Sequence, residues 1–166
     1  MVRISRWTTG AVPLGAAGVA IGAAAGQGTP KHWPFDISTC GSGVSHTVAV
    51  SKTLAAHSFE FTGTTHSNTR GGAFDMVTFR CVGMVNLIEG KSPGAFTCES
   101  VDLDGDKYFT RYTGDGVKYA GTLLAGTGKY EHVAATFVSE GTGPFPVASP
   151  GSFQNCSRQT GTYKHR

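Results

Sequence analysis

Charged residues and recognisable catalytic motifs are scarce in this chain. Only 15% of its 166 residues are Asp, Glu, Lys or Arg. No sustained 3.6-residue apolar stripe occurs after residue 25, so amphipathic helices are not expected. The chain has no C-x-x-C pair and no H-x-H or H-E-x-x-H motif. Zinc sites built on those motifs are therefore unsupported, and without helices a strand-to-helix serine nucleophile elbow is not expected either.

The net charge of the chain gives no indication of a large polyanionic partner such as a nucleic acid. The formal charge is +3, and Arg3 and Arg6 supply two of the 14 basic residues. Both lie in a segment expected to be removed, so the remaining chain is nearly neutral. Because a nucleic-acid-binding domain usually carries a clustered basic surface, nucleic acid is not an expected partner.

The N-terminus has the order of a secretory signal. Arg3 and Arg6 make a positive start, an apolar stretch follows over residues 11–25, and Ala25 precedes Gly26 at a small-residue cleavage site. The alternative is a membrane anchor, but the stretch is short and rich in Gly and Ala. The sequence predicts a signal peptide at 1–25, an irregular lead-in at 26–43 and one domain at 44–166, secreted or periplasmic, with no membrane span after cleavage.

Four cysteines, an even number, agree with export. In a secreted chain they favour disulfides over metal binding. Three pairings are possible, and we favour Cys81–Cys98 with Cys40–Cys156. If Glu89-Gly90 forms a hairpin turn, Cys81 and Cys98 stand directly opposite each other. A bridge from Cys40 to Cys156 would fasten the first strand to the last.

The rest of the chain reads as short strands separated by turns. Alternation and β-branched or aromatic residues mark each strand, and Gly, Asp and Pro mark the turns. The predicted strands are 44–53, 57–65, 74–88, 95–101, 107–113, 117–124, 129–138 and 158–165. Eight consecutive strands close naturally into an antiparallel up-and-down barrel, which leaves no exposed strand edge. Several strands are apolar on both faces, which favours a covering segment or a homo-oligomer, a dimer or a trimer.

The Leu-Leu-Ala-Gly-Thr-Gly-Lys-Tyr run at 123–130 and the strand order around it resemble the allene oxide cyclase and dirigent barrel superfamily. The resemblance covers about residues 44–165. It implies an eight-stranded antiparallel barrel, often trimeric, with activities such as epoxide cyclisation or the steering of radical coupling. The cysteines and the D-x-D-G-D turn depart from the plant enzymes, and no catalytic residue can be carried over. A lipocalin- or avidin-like barrel is the alternative.

Carboxylates within the predicted strands are the candidate catalytic groups. Each lies on the face opposite an aromatic or sulfur-bearing neighbour. If the aromatic residues fill the barrel, the acids face solvent; if the aromatic residues form an oligomer surface, the acids point into the lumen and desolvation raises their pKa. The candidates are Glu60, Asp75 and Glu99, with Arg80, Arg111, Tyr108 and Tyr112 as possible lumen partners.

Three further groups have more ordinary explanations. Asp102, Asp104 and Asp106 alternate and are candidate Ca²⁺ ligands, but their spacing does not fit an EF-hand and favours an exposed turn. The segment 126–129 lacks phosphate-loop spacing and also favours a turn. The histidines at 46, 57, 66 and 132 are candidate bases or ligands whose proximity the sequence cannot establish.

Two functional hypotheses follow. One is a non-catalytic barrel that binds a small apolar ligand or has a structural role. The other is a cofactor-free cyclase or isomerase, in which a shaped apolar cavity positions a reactive hydrophobic substrate. No cofactor is expected in either case. A His or carboxylate inside an apolar lumen would favour catalysis, and a completely filled lumen would exclude both binding and catalysis.

Overall fold

A computed structural model of the chain describes residues 31–166, which form one closed antiparallel barrel. The eight strands follow one another around the barrel in chain order, as the sequence predicts. Their bounds are β1 Trp33–Ser51, β2 Leu54–Ser67, β3 Val77–Ile88, β4 Gly94–Val101, β5 Lys107–Gly114, β6 Lys118–Gly126, β7 Val133–Gly141 and β8 Ser152–His165. The predicted signal peptide at 1–25 lies outside the described residues.

Alternation along each strand decides which side chains enter the barrel. In β5, Tyr108, Thr110 and Tyr112 are buried, whereas Lys107 and Arg111 are exposed. The inward set on β1, β2, β3, β7 and β8 has odd numbers, except that Gln154 of β8 also lines the cavity, and the inward set on β4 and β5 has even numbers. This period of two is the ordinary consequence of strand geometry. The core of the protein is therefore the lumen of the barrel.

The prediction of an irregular lead-in at 26–43 is wrong for residues 33–43, because β1 begins at Trp33. Phe35, Ile37 and Thr39 alternate inward and are buried. The glycines that suggested irregularity instead allow close strand contact: Gly41 pairs with Gly63, and a Cβ on Gly41 would lie 2.1 Å from a backbone oxygen of β2. Residues 26–30 lie outside the described part.

Other strand bounds also differ from the prediction. β3 begins at Val77 rather than at residue 74, because Phe74 (φ 61°) and Met76 (φ 52°) have left-handed backbone conformations that do not fit a strand. The strand predicted from residue 129 begins at Val133, after a short 3-10 turn over Gly128–Tyr130. β8 begins at Ser152, six residues before the predicted start at 158.

The predicted hairpin and both predicted disulfides are confirmed. Glu89 (φ 49°) and Gly90 (φ 81°) form the two-residue turn between β3 and β4, as a type I′ turn requires. That register puts Cys81 opposite Cys98, and the two are bonded. Cys40 of β1 is bonded to Cys156 of β8. The first bridge is in the lumen, and the second is on the outer face of the barrel.

The two ends of the barrel are built differently. One end, the closed end, carries the connections at 68–76, 102–106 and 127–132. The other end, the open end, carries the connections at 52–53, 89–93, 115–117 and 142–151. The long 142–151 segment is tied to β8 by a hydrogen bond from the Thr142 N–H to the Cys156 carbonyl.

Candidate functional site

The lumen contains a cavity of about 530 Å³. This volume lies within the range of about 300–1,000 Å³ that is typical of small-molecule sites. Its wall is mainly apolar, with aromatic rings as the largest group of lining side chains. The aromatic residues that line it are Phe35, Phe59, Phe61, Phe74, Phe79, Phe96, Tyr108, Tyr112, Tyr119, Phe137, Phe145 and Phe153. The lumen is thus apolar but not filled.

Five aromatic rings seal the closed end; we call them the aromatic plug. Phe74 is at the centre, with ring centroids 4.9 Å from Phe35, 5.4 Å from Tyr108, 5.9 Å from Tyr130 and 5.6 Å from Tyr163. Phe74 reaches this position from the connection between β2 and β3. Edge and stacked contacts of this kind add to simple area burial, and they offset the left-handed backbone at Phe74.

The Asp102, Asp104 and Asp106 turn lies at the closed end and is held by a lysine. Lys129 Nζ lies 2.7 Å from Oδ2 of Asp102 and 2.6 Å from Oδ2 of Asp104. The other oxygen of Asp102, Oδ1, accepts the N–H groups of Asp104 and Asp106. The Lys129 N–H bonds to Asp106. Among residues 31–166, no group of three His, Cys, Asp or Glu side chains is arranged to hold a metal ion. An ammonium group occupies the position that the Ca²⁺ hypothesis gave to a metal, which corrects that hypothesis.

The open end contains the one predicted histidine that lines the cavity. His57 projects inward from β2, and its Nδ1 is 2.8 Å from the hydroxyl oxygen of Thr47. Phe145, from the 142–151 segment, lines the cavity at its open end, together with Pro144 and Val117. A ligand would therefore enter between the 115–117 and 142–151 connections.

A polar cluster crosses the aromatic lumen, and Tyr112 is the one member that the sequence predicted to face it. We call Thr39, Tyr112, Ser139, Ser157 and Gln159 the lumen cluster. The Tyr112 hydroxyl donates to Gln159 Oε1 at 3.3 Å, and Gln159 Nε2 donates to Thr39 Oγ1 at 3.5 Å. Thr39 and Ser139 both bond to the hydroxyl of Ser157. The Tyr112–Gln159 bond joins β5 to β8, which are not neighbours, so it spans the lumen.

Two buried polar atoms of the lumen wall have no hydrogen-bond partner in the described part of the chain. They are Thr110 Oγ1 and Gln154 Oε1. Thr110 is only 3% exposed and lies two residues before Tyr112 on the same face of β5. Burial also raises the pKa of the Tyr112 phenol above its usual value. An unpartnered buried hydroxyl is costly and calls for an explanation.

The catalytic candidates Glu60, Glu99, Arg80 and Arg111 all point outward. Arg80 makes a two-pronged ion pair with Glu60 at 2.9 and 3.0 Å, which lowers the pKa of that carboxyl. Glu99 pairs with Lys107, and its pKa is lowered in the same way. Outside, these groups are solvated and charged. The hypothesis that they line the lumen is wrong, because the aromatic residues of opposite parity fill that side.

Asp75, Tyr108 and the other histidines complete the predicted set. Asp75 Oδ1 accepts the N–H groups of Ser67 and Met76 at 2.8 and 3.0 Å, so it fixes the connection that carries Phe74. Tyr108 does line the lumen. The histidines at 46, 66 and 132 are exposed.

Gly90-Lys91-Ser92-Pro93-Gly94 matches the spacing G-x-S-x-G of a serine nucleophile elbow. In the structure this segment is the hairpin connection between β3 and β4, and no helix follows it. A nucleophile elbow requires a strand-to-helix turn. The spacing therefore gives no support to serine hydrolase chemistry.

The outer surface has one concentrated apolar region on β1, β2 and β3. We call it the outer apolar face; its members are Val44, Val48, Leu54, Val82, Met84 and Ile88. The register brings them together: Val44 and Val82 flank Glu60, and Leu54 pairs with Ile88. Val48 is 74% exposed and Met84 is 53% exposed. Exposed apolar groups gathered in one region are typical of interaction surfaces, and here Glu60 and Ser58 of β2 lie among them.

Comparisons with protein-family models, with curated proteins and with solved structures find no match to this chain. No helix in the described residues has the length and hydropathy needed to cross a membrane.

Proposed function

We propose that this protein is an exported β-barrel that binds a small apolar ligand in its lumen. The observation that carries the proposal is the unfilled aromatic cavity of about 530 Å³, closed by the aromatic plug at one end and reachable at the other. A barrel that served only as a structural unit would gain stability by filling this space, since interiors pack densely. Burial of an apolar ligand there would replace that missing packing.

Export is supported by two features. Two disulfides are typical of oxidising compartments, and residues 1–25 have the pattern of a signal peptide. We place the protein in the periplasm or the medium on those grounds. The outer apolar face supports self-association as a homo-oligomer, whether dimer or trimer.

Binding is favoured over catalysis because of where the charges lie. The strand carboxylates form outward ion pairs, and among the lining residues within 31–166 there is no Asp, Glu, Lys or Arg. A cofactor-free cyclase or isomerase of the allene oxide cyclase or dirigent type remains the second candidate, supported by the strand order, by the lumen cluster and by His57, the histidine that lines the open end of the cavity. It would have to work by positioning the substrate, with neutral hydrogen-bond donors.

Native mass spectrometry of the mature protein, purified from its own periplasm or medium, tests the proposal. We expect a small apolar molecule to be released from the protein on denaturation. A control sample, extracted with organic solvent and refolded, should regain the same molecule from a lysate. Protein that is empty as isolated, and that binds no neutral aromatic compound in titrations, would contradict ligand binding.

A further inference from the structure

His57 is the one residue of the cavity wall, within residues 31–166, that can carry a charge near neutral pH. The lining residues of that range include no Asp, Glu, Lys or Arg. The other ionisable groups of the wall are phenols, and burial raises the pKa of Tyr108, Tyr112 and Tyr119 above the ordinary tyrosine value of about 10. The imidazole is therefore the group of the wall that can accept a charged ligand group.

The protein engages one ring nitrogen of His57 and leaves the other for a ligand. Nδ1 is 2.8 Å from the hydroxyl oxygen of Thr47 on β1, whereas Nε2 has no hydrogen-bond partner within the described residues. In a protonated imidazole both nitrogens are donors. Nδ1–H then donates to the Thr47 oxygen, and Nε2, on the far side of the ring from β1, has a hydrogen to donate to a ligand oxygen.

The elements beside His57 bring no charge to it. The register places Thr47 of β1 on one side and Val85 of β3 on the other, and the 142–151 connection has no ionisable residue. Of the histidines in residues 31–166, His66 alone lies within 4.0 Å of a carboxylate of that range. The ionisable residues of the other open-end connections, none of which lines the cavity, are Lys52, Glu89, Lys91 and Asp115. Among the described residues a protonated His57 thus has no counter-ion, which leaves a place for a ligand anion.

The position of His57 along the barrel decides how an acidic ligand is oriented. The imidazole is half-buried at the open end, where a carboxylate keeps part of its water. The closed end is sealed by the aromatic plug, and Lys129, the cation beside the plug, is held by Asp102 and Asp104 and does not line the cavity. A carboxylate at that depth would lose its water without gaining a counter-ion, which is very costly. The apolar body of an acidic ligand therefore points inward and its acid group outward.

We propose that the lumen binds an amphiphilic monocarboxylate, with its apolar body among the aromatic rings and its carboxylate at Nε2 of His57. The inference rests on the proposed ligand binding and adds the acid group and the orientation of the ligand. Phe59 is the next inward residue of β2 toward the closed end, and its ring centroid lies 5.6 Å from that of Phe96 and 6.0 Å from that of Phe153. These three rings would hold the part of the body that adjoins the carboxylate.

Three naphthalene derivatives of matched shape test the inference by calorimetric titration of the mature protein at about pH 5.5 and about pH 8, a range in which histidine gains or loses its proton. Naphthylacetate carries a carboxylate at both pH values. Naphthylacetamide is neutral but forms hydrogen bonds, and isobutylnaphthalene is wholly apolar. We expect naphthylacetate to bind about fivefold more tightly at the lower pH, as for an ion pair that is partly solvated. Each neutral compound should bind equally at both pH values.

His57→Gln keeps a hydrogen-bonding side chain that cannot be protonated, so the effect of pH on naphthylacetate binding should disappear. His46→Gln is the matched control and should keep the full effect, because His46 is exposed on the outer face of β1. Circular dichroism checks that both variants are folded. In the wild-type protein, NMR should show the ring-proton resonances of His57 shifting when naphthylacetate is added, while those of His46 stay in place. The NMR result holds even where His57→Gln fails to fold.

The outcomes separate this inference from ligand binding in general. Binding of isobutylnaphthalene together with a naphthylacetate affinity that is equal at both pH values would overturn the inference and leave ligand binding intact. A pH effect that survives in folded His57→Gln, unmoved His57 resonances, or naphthylacetamide binding more tightly than naphthylacetate at both pH values would have the same consequence. Failure of all three compounds to bind would overturn both proposals.

Discussion

Lys129 Nζ lies 2.7 Å from Oδ2 of Asp102, a carboxylate whose side chain is only 4% exposed. Oδ1 of the same carboxylate accepts two backbone N–H groups of its own turn. Asp102 therefore joins the β4–β5 connection to the β6–β7 connection directly beside Tyr130 of the aromatic plug. In the sequence this segment is an acidic turn. In the folded protein it holds the β4–β5 and β6–β7 connections together at the closed end.

Asp102→Ala should lower the free energy of unfolding by about 1–3 kcal/mol, since it leaves two backbone N–H donors without their acceptor and removes one of the two carboxylates that Lys129 contacts. Urea denaturation followed by circular dichroism measures the change. Asp104→Asn is the matched control: Asp104 is 72% exposed, and the replacement should change stability by less than about 0.5 kcal/mol. Equal effects of the two variants would show that Asp102 has no special role.

Acid should destabilise the protein through its outward ion pairs. The hydrogen bond from Arg158, with help from Asn68, lowers the pKa of Asp36 to about 2. The carboxyl has a pKa of about 3.9 when unfolded, so its contribution is complete above that pH and is lost as the pH falls toward 2. Melting temperatures measured between about pH 5 and pH 2 should fall less steeply in Asp36→Asn than in the wild type. Parallel curves would contradict this assignment.

The two disulfides should differ in both stability and accessibility. In the chain-entropy model, loss of Cys40–Cys156, with a sequence separation of 116, costs about 4–5 kcal/mol, and loss of Cys81–Cys98, with a separation of 17, costs about 3 kcal/mol. Paired Cys→Ser variants, compared by denaturation, measure both losses.

Accessibility provides an independent measurement on the same bonds. Cys81 and Cys98 are 2% and 3% exposed inside the lumen, whereas Cys40 is exposed on the outer face. A mild reductant without denaturant should therefore open Cys40–Cys156 first, as peptide mapping of alkylated thiols would reveal. Without reductant, no thiol should be alkylated even in denaturant. Earlier opening of the buried bridge would contradict the assignment of faces.

Filling the cavity should block ligand uptake. Val85→Trp places an indole into the open half of the lumen and should reduce probe binding by at least about tenfold, because the ligand and the indole compete for the same space. Asn86→Trp, one residue later and therefore outward-facing, is the control. Unchanged binding in folded Val85→Trp would place the ligand outside the lumen.

A charge on the outer apolar face should dissociate an oligomer. Met84 is 53% exposed at the centre of that face, and Met84→Lys would desolvate an ammonium on association. Analytical ultracentrifugation should show a shift toward monomer for Met84→Lys, and no shift for Thr122→Lys, which is on the exposed outer side of β6. A wild-type protein that is monomeric at high concentration would eliminate the proposed homo-oligomer.

The pattern of residues along the sequence was sufficient to predict the barrel and its two disulfides. Strand order follows from eight alternating segments, and the Glu89-Gly90 turn fixes the register of Cys81 and Cys98. The turn and the Cys81–Cys98 register depend on neighbours in sequence, whereas the Cys40–Cys156 pairing follows from the expected closure of the first strand on the last. The errors occurred where tertiary contacts outweigh local pattern: the glycines of β1 face a close-approaching strand, and Phe74 adopts a left-handed backbone to reach the plug.

The candidate site depended on information that no single strand contains. The alternation along β2 puts Glu60 on one face of the strand and Phe59 and Phe61 on the other. Only closure of the barrel decides which of the two faces is inside. The lumen cluster brings together residues from β1, β5, β7 and β8, which are distant in sequence and ordinary in type. Sequence alone thus determined strands, turns and disulfides, while the closed barrel decided the faces, the cavity and the polar groups within it, because these follow from long-range packing.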